Sequence, residues 1–497
     1  MKQQLSLIFL AFTLGIFVIS CGGRKLQQDS LARISASEKV VFSLNWQALM
    51  SKLDEDFLMK AGKGKSKTEE FIKTLRTKPE RIGFAKGQTA YGYISLPEGQ
   101  QLWTLIIPLA KVEKLKAYIE GSDRFSLKKK EGYHLLESSE PLNYAVGFDE
   151  DHLVLSWGAL SKLNAHLKQF FEQKPANSMA DNASLKKLFS KGDDVKVWLS
   201  SKGVYESWQD SPSMQEDLMI LGLLGVTSEE FADNSLGISL NFDQGQLAAQ
   251  LGGDYSEKLE QLFGPVFNEG IGEGFRNFIP AKDYAGGIAL STDSEQLSEY
   301  LAARELRPLI DEFLAGTSIS GANLLEAMTG NVAWLSYEIE EAFVDKLPSS
   351  LLIIEFKDKA HLDKLVDQLA TNNFSVERDQ HFIKAQYSWF LDVMLIQHDN
   401  YLIITNYFFL GTAINEGLSK SELLPKKQYE KLTQGAFALD IVNVKPYMDI
   451  FKANNSSALS KAIERISFSA QGRQMELLLL AKDKKTNALE QLINQVN

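Results

Sequence analysis

Six histidines, one cysteine and 64 acidic side chains are the raw material for chemistry in this 497-residue chain. A zinc site built on one helix needs two imidazoles a turn apart, as in His-Glu-x-x-His, and no two histidines stand at i, i+4. His134 and His381 form the one ordered pair, 247 residues apart, an offset shared by the apolar strings around them. They are the speculative binding residues of the chain, two equivalent imidazoles that would line equivalent clefts. The plainer reading puts each ring at a sheet face within the hairpin strands of residues 133–136 and 380–383. His152, His166, His361 and His398 have no such counterpart and read as surface or internally satisfied residues.

Phosphate and nucleophile motifs fail on inspection. Gly64-Lys65-Ser66 ends like a phosphate-binding loop, but Met59 stands where the first glycine is required, and Lys60, Lys63, Lys65 and Lys67 read as a solvated loop. Gly270, Gly272 and Gly274 are too evenly spaced for a dinucleotide fingerprint. There is no Gly-x-Ser-x-Gly elbow. Acidic pairs such as Asp193-Asp194 and Glu229-Glu230 are ordinary on an acidic surface, because catalytic carboxylates are defined by separation and environment. The expectation is a protein that is not an enzyme, with no cofactor and no metal.

The cysteine is more informative. Cys21 is the only thiol, so no disulfide can form within the chain. It closes the sequence Val18-Ile19-Ser20-Cys21, after an uncharged run of residues 5–19 that follows Lys2. Fifteen residues fall short of the ~20 that span a bilayer, and the run ends in small residues, as a cleaved signal peptide does. The segment resembles the lipobox of bacterial lipoproteins. That resemblance implies acylation of Cys21, cleavage before it and a membrane partner reached through the acyl chains. It divides the N-terminus into a signal peptide, 1–20, and a lipidated cysteine with a polar tether, 21–33. Gly22 after the cysteine, rather than aspartate, favours a periplasm-facing outer-membrane lipoprotein of the cell envelope. One acyl chain binds membranes only marginally, whereas the multiple acylation of that family holds permanently.

Composition bounds the rest: 44% hydrophobic and 24% charged, with a formal charge of −11 that becomes −12 once Lys2 is removed. A net acidic chain argues against nucleic acid as a main partner, since such binding depends on clustered Lys and Arg. Its length fits two to four units at ~150 residues each.

Self-similarity supplies the organisation. The string at 105–107 answers that at 352–354, residues 153–156 answer 402–405, 195–199 answer 437–441, and the Gln-Gly turn at 244–245 answers 471–472, always in the same order. Short strands separated by turn residues alternate with amphipathic helices. The expected fold is therefore α+β: two tandem repeats, 34–263 and 277–497, each an antiparallel sheet with helices packed on one face, joined by a Gly-rich linker at 264–276. A lipobox, a tether and a duplicated α+β body together resemble uncharacterised lipoproteins of the Bacteroidetes type carrying a domain of unknown function. The expected role is a non-enzymatic, lipid-anchored binding or scaffolding protein with an envelope protein partner. The alternatives are a carrier or sensor of a hydrophobic ligand and, behind it, an envelope hydrolase.

Overall fold

A computed structural model describes residues 29–54, 77–84, 86–87, 89–95, 101–121, 125–138, 144–158, 160–172, 176–209, 234–254, 264–303, 320–337, 349–371, 375–378, 382–388, 391–442 and 462–496, with a few isolated positions. Cys21, His381 and the lysine-rich stretch at 60–67 lie outside the described residues. The chain is α+β, and every pairing between its longer strands is antiparallel. It divides into two compact units. The first holds the described residues up to 209, then 234–254 and 483–496; the second holds the described residues from 264 to 482.

The first unit contains strands β1 (Val40–Leu44), β2 (Ala90–Ser95), β3 (Leu102–Pro108), β4 (Phe125–Lys129), β5 (His134–Ser138), β6 (Tyr144–Phe148), β7 (His152–Gly158), β8 (Val195–Ser200), β9 (Ser235–Asp243) and β10 (Gln246–Asp254). They lie in the order β10-β9-β8-β1-β2-β3-β7-β6-β5-β4. The second contains β11 (Tyr284–Ser291), β12 (Met328–Tyr337), β13 (Ser349–Phe356), β14 (Ser375–Arg378), β15 (Phe382–Ser388), β16 (Leu391–His398), β17 (Tyr401–Thr405), β18 (Phe437–Ile441), β19 (Ile463–Gln471) and β20 (Gln474–Ala481). Their order is β20-β19-β18-β11-β12-β13-β17-β16-β15-β14, position for position that of the first unit.

Local chemistry explains the element ends. Asn45 stops β1 and starts α1 (Trp46–Ser51), its side-chain oxygen accepting the Ala48 N–H at 3.3 Å. Asn182 does the same for α4 (Ala183–Phe189) through the Leu185 N–H at 2.9 Å. The β9–β10 turn uses Gly245 at φ 64° and the β19–β20 turn Gly472 at φ 54°, a region that glycine enters without steric cost.

Helices lie on both faces of each sheet, not on one. In the first unit, α1, α2 (Val112–Glu120) and α11 (Ala488–Val496) meet Leu44, Leu105, Ile107 and Leu155. On the opposite face α3 (Leu163–Glu172) and α4 meet Val41, Ile106 and Val154. In the second unit α8 (Lys359–Thr371) covers Leu395 and Leu402, while α9 (Phe408–Glu416) and α10 (Lys426–Tyr429) cover Leu351, Ile353 and Ile403. The cause is visible in the strands: β3 buries six of its seven residues, so neither of its sides can be left to water.

Three boundaries also differ from expectation. Residues 483–496 belong to the first unit: Leu489 is 3% exposed in the core with Trp46 and Phe242, and the Asn487 amide donates to the Phe242 carbonyl at 3.1 Å. The supposed linker at 264–276 puts Ile271 and Phe275 into the second core. The polar tether ends before residue 33, because Ser30 and Leu31 are already buried.

Candidate functional site

Among the described residues no three His, Cys, Asp or Glu side chains come together as a metal site would require. His134 opens β5 with its ring stacked on Phe148, centroids 5.1 Å apart, and its buried Nδ1 finds no partner among the described residues. Burial first, then the charges of Lys116 and Lys129, push its pKa down, so it sits as a neutral, packed imidazole.

The buried polar groups that sequence reading passed over lie on the face under α3. His166 Nε2 is 2.8 Å from Thr104 Oγ1 and 3.1 Å from the Tyr93 hydroxyl, and Thr104 is 3.3 Å from Ser156. Burial pushes His166 down to about 4. Glu38 receives the Ser95 hydroxyl at 3.0 Å, and burial carries its carboxyl up to about 7 against that bond. Hydroxyls beside an imidazole have the parts of a nucleophile, but Thr104 and Ser156 are 0% exposed, beyond the reach of a substrate. Nothing in the sequence marks these residues except their place on strands whose other face is apolar.

Two further polar clusters close on themselves. Asp149 accepts the backbone N–H groups of Asp151 and His152, and Arg33 reaches its other oxygen at 3.4 Å. Burial works to raise the Asp149 carboxyl, but His152 and those N–H groups outweigh it and hold it low. In the second unit Glu355 accepts from Tyr401 at 2.9 Å, Thr329 at 3.0 Å and Asn331 at 2.7 Å. Carboxylates bonded in this way fix a fold and leave little for a ligand.

The remaining feature is apolar. Across seven strands of the first unit, paired residues Leu236, Leu199, Val40, Ile94, Trp103, Trp157 and Tyr144 form one continuous row. All seven are half-buried. The neighbouring row on the same face runs Leu251, Ile238, Val197, Phe42, Gly92, Leu105, Leu155 and Val146. Helices α1, α2 and α11 seal the Leu105–Leu155 end of that second row and Trp157 and Tyr144 pack against the same core, while Val40, Ile94, Trp103, Leu199 and Leu236 lie outside the cores formed by the described residues. The Trp103 and Trp157 rings stack at 5.9 Å and 16°, and Phe42 leans on Trp103 at 6.3 Å. Gly92 is part of this surface by necessity, since a Cβ there would lie 2.1 Å from the Phe42 ring. Carrying no charge, such a face offers area and aromatic contact, not acid–base chemistry.

Comparison with known proteins adds little to this geometry. No protein-family model matches the chain, and no curated protein matches it. Solved structures give crystal forms IV and I of the protein TP0453, at 14% and 10% identity. Each comparison covers 48% of this chain, against 85% and 86% of the other, with TM-scores of 0.26 and 0.27. Values that low carry no argument about fold or function. No helix among the described residues is long and apolar enough to cross a membrane.

Proposed function

We propose that this protein is a lipid-anchored component of the bacterial envelope that binds and does not catalyse, and that its ligand is hydrophobic. One observation carries the reading: an uncharged row of seven half-buried side chains, five of them outside the cores of the described residues, on a sheet whose opposite face is already packed. Protein surfaces seldom leave such a patch without a use. The sealed hydroxyl–imidazole cluster under α3 makes hydrolysis the weaker alternative.

The two units are proposed to descend from one duplicated α+β plan. Identical strand order supports this, as does the pairing of Gly92 with Phe42 in one unit and of Trp334 with Ile288 at the same place in the other. Anchoring through Cys21 rests on the lipobox resemblance and fits an acidic body that needs acyl chains to stay on a membrane.

A second reading, docking of an envelope protein partner, draws on Phe408 and Phe409, exposed by 55% and 69% at the start of α9. The test of the leading reading is titration of the mature chain carrying Cys21→Ser with fluorescent apolar probes. Saturable binding of about one probe per chain is expected, and its absence for every probe would remove the proposal.

A further inference from the structure

We infer that the ligand is a linear acyl chain and that it lies on the first unit alone, across strands β9, β8, β1, β2 and β3; this rests on the hydrophobic-ligand reading above. The internal comparison decides the unit. At the positions that hold Leu236, Leu199, Val40, Ile94 and Trp103, the second unit has Ile466, Ile441, Gly286, Ser336 and Ser350, joined by the same pairings. Asn406 follows, its side chain accepting the Ser350 N–H at 2.7 Å. One row is unbroken hydrocarbon and indole; the other is interrupted at its centre by a glycine, two serines and an amide. An aliphatic chain crossing that interruption would bury polar groups without giving them partners.

Shape and bonding decide the class. Five strands at about 4.8 Å spacing give a row of roughly 19 Å, longer than the ~15 Å depth of one bilayer leaflet, so an acyl chain fits along it. The strands beneath it, β8, β1, β2 and β3, are hydrogen-bonded on both sides and have no free ladder for a peptide strand. Leu, Ile, Val and stacked indoles meet a chain that has no polar groups of its own to satisfy.

The test uses the full mature chain with Cys21→Ser, titrated with stearate and with a dibrominated stearate, whose bromines quench nearby indoles. Quenching is expected in the parent, unchanged in Trp334→Phe, and lost in Trp103→Phe/Trp157→Phe although binding persists. Ile94→Ser/Trp103→Ser, which installs the second unit's residues, should weaken binding about tenfold or more. The phenylalanine variants keep the surface apolar, so their result stands even if the serine pair folds poorly. Quenching lost in Trp334→Phe but kept in the double phenylalanine variant would place the chain on the second unit and overturn the inference. Binding of a fluorescent sterol with none of either stearate would overturn the acyl class while leaving a hydrophobic ligand in place. No binding of stearate or sterol would remove the underlying reading as well.

Discussion

Two titrating residues on the same face of the first sheet pull stability in opposite directions. His166 is held near 4 by burial, below its ordinary 6.5, so the stability it contributes is complete above pH 6.5 and is lost as pH falls through 4. Glu38 is carried up to about 7 from 4.5, so its contribution is complete below pH 4.5 and is lost as pH rises through 7. Each shift corresponds to about 3 kcal/mol, and over pH 4.5–6.5 they nearly cancel. Glu38→Gln removes one side of that balance. Urea unfolding across pH 4–8 should show the wild type gaining about 3 kcal/mol on the variant as pH falls from 7 to 4.5; a constant difference would contradict the burial of Glu38. In the row beside the apolar one, Gly92→Trp should cost about 1–3 kcal/mol by overpacking Phe42 and the Thr104 carbonyl, and Phe42→Ile in the same chain should recover the part due to the ring. The second unit already carries that pair as Trp334 and Ile288. Additive losses in thermal unfolding would deny the equivalence. Little of this was legible beforehand: His134 stands out through its 247-residue offset, while the interacting imidazole, His166, has no sequence signature because its partners, Tyr93 and Thr104, come from two separate strands.

At the scale of elements, the sequence showed strands, turns and caps well, because each is set within a few residues. Asn45 as a cap and the Gln-Gly turns at 244–245 and 471–472 needed only local chemistry. What it did not show was which face a helix covers. Strand β3 reads Leu-Trp-Thr-Leu-Ile-Ile-Pro, an almost continuous apolar run from which no preferred side can be read. Nor did chain order reveal that α11 closes the first unit, since that depends on Leu489 meeting Trp46 and Phe242 across hundreds of residues. Leu489→Ala should cost about 2–5 kcal/mol. Hydrogen exchange should then rise in β1 and β9 and stay unchanged in β11 and β13. Equal loss of protection in both units would contradict the assignment.

Over the whole molecule, the proposed anchoring places lasting membrane attachment on Cys21, the one thiol of the chain. Replacing Cys21 with serine should move the protein from the membrane pellet to the soluble fraction, and retention in the pellet would point to another anchor. This proposal comes from the sequence alone, because the resemblance to a lipobox is carried by a short, contiguous segment. The apolar row was invisible to it, being assembled one residue per strand from positions between 40 and 236 and recognisable only once the registers are known. That row is the centre of the account, and native mass spectrometry of the mature Cys21→Ser protein, gently purified from cells, tests it most directly. The prediction is a non-covalent adduct of acyl-lipid mass on the parent that is missing from Ile94→Ser/Trp103→Ser. A parent that flies at its bare polypeptide mass, or a variant that keeps the adduct undiminished, would contradict it.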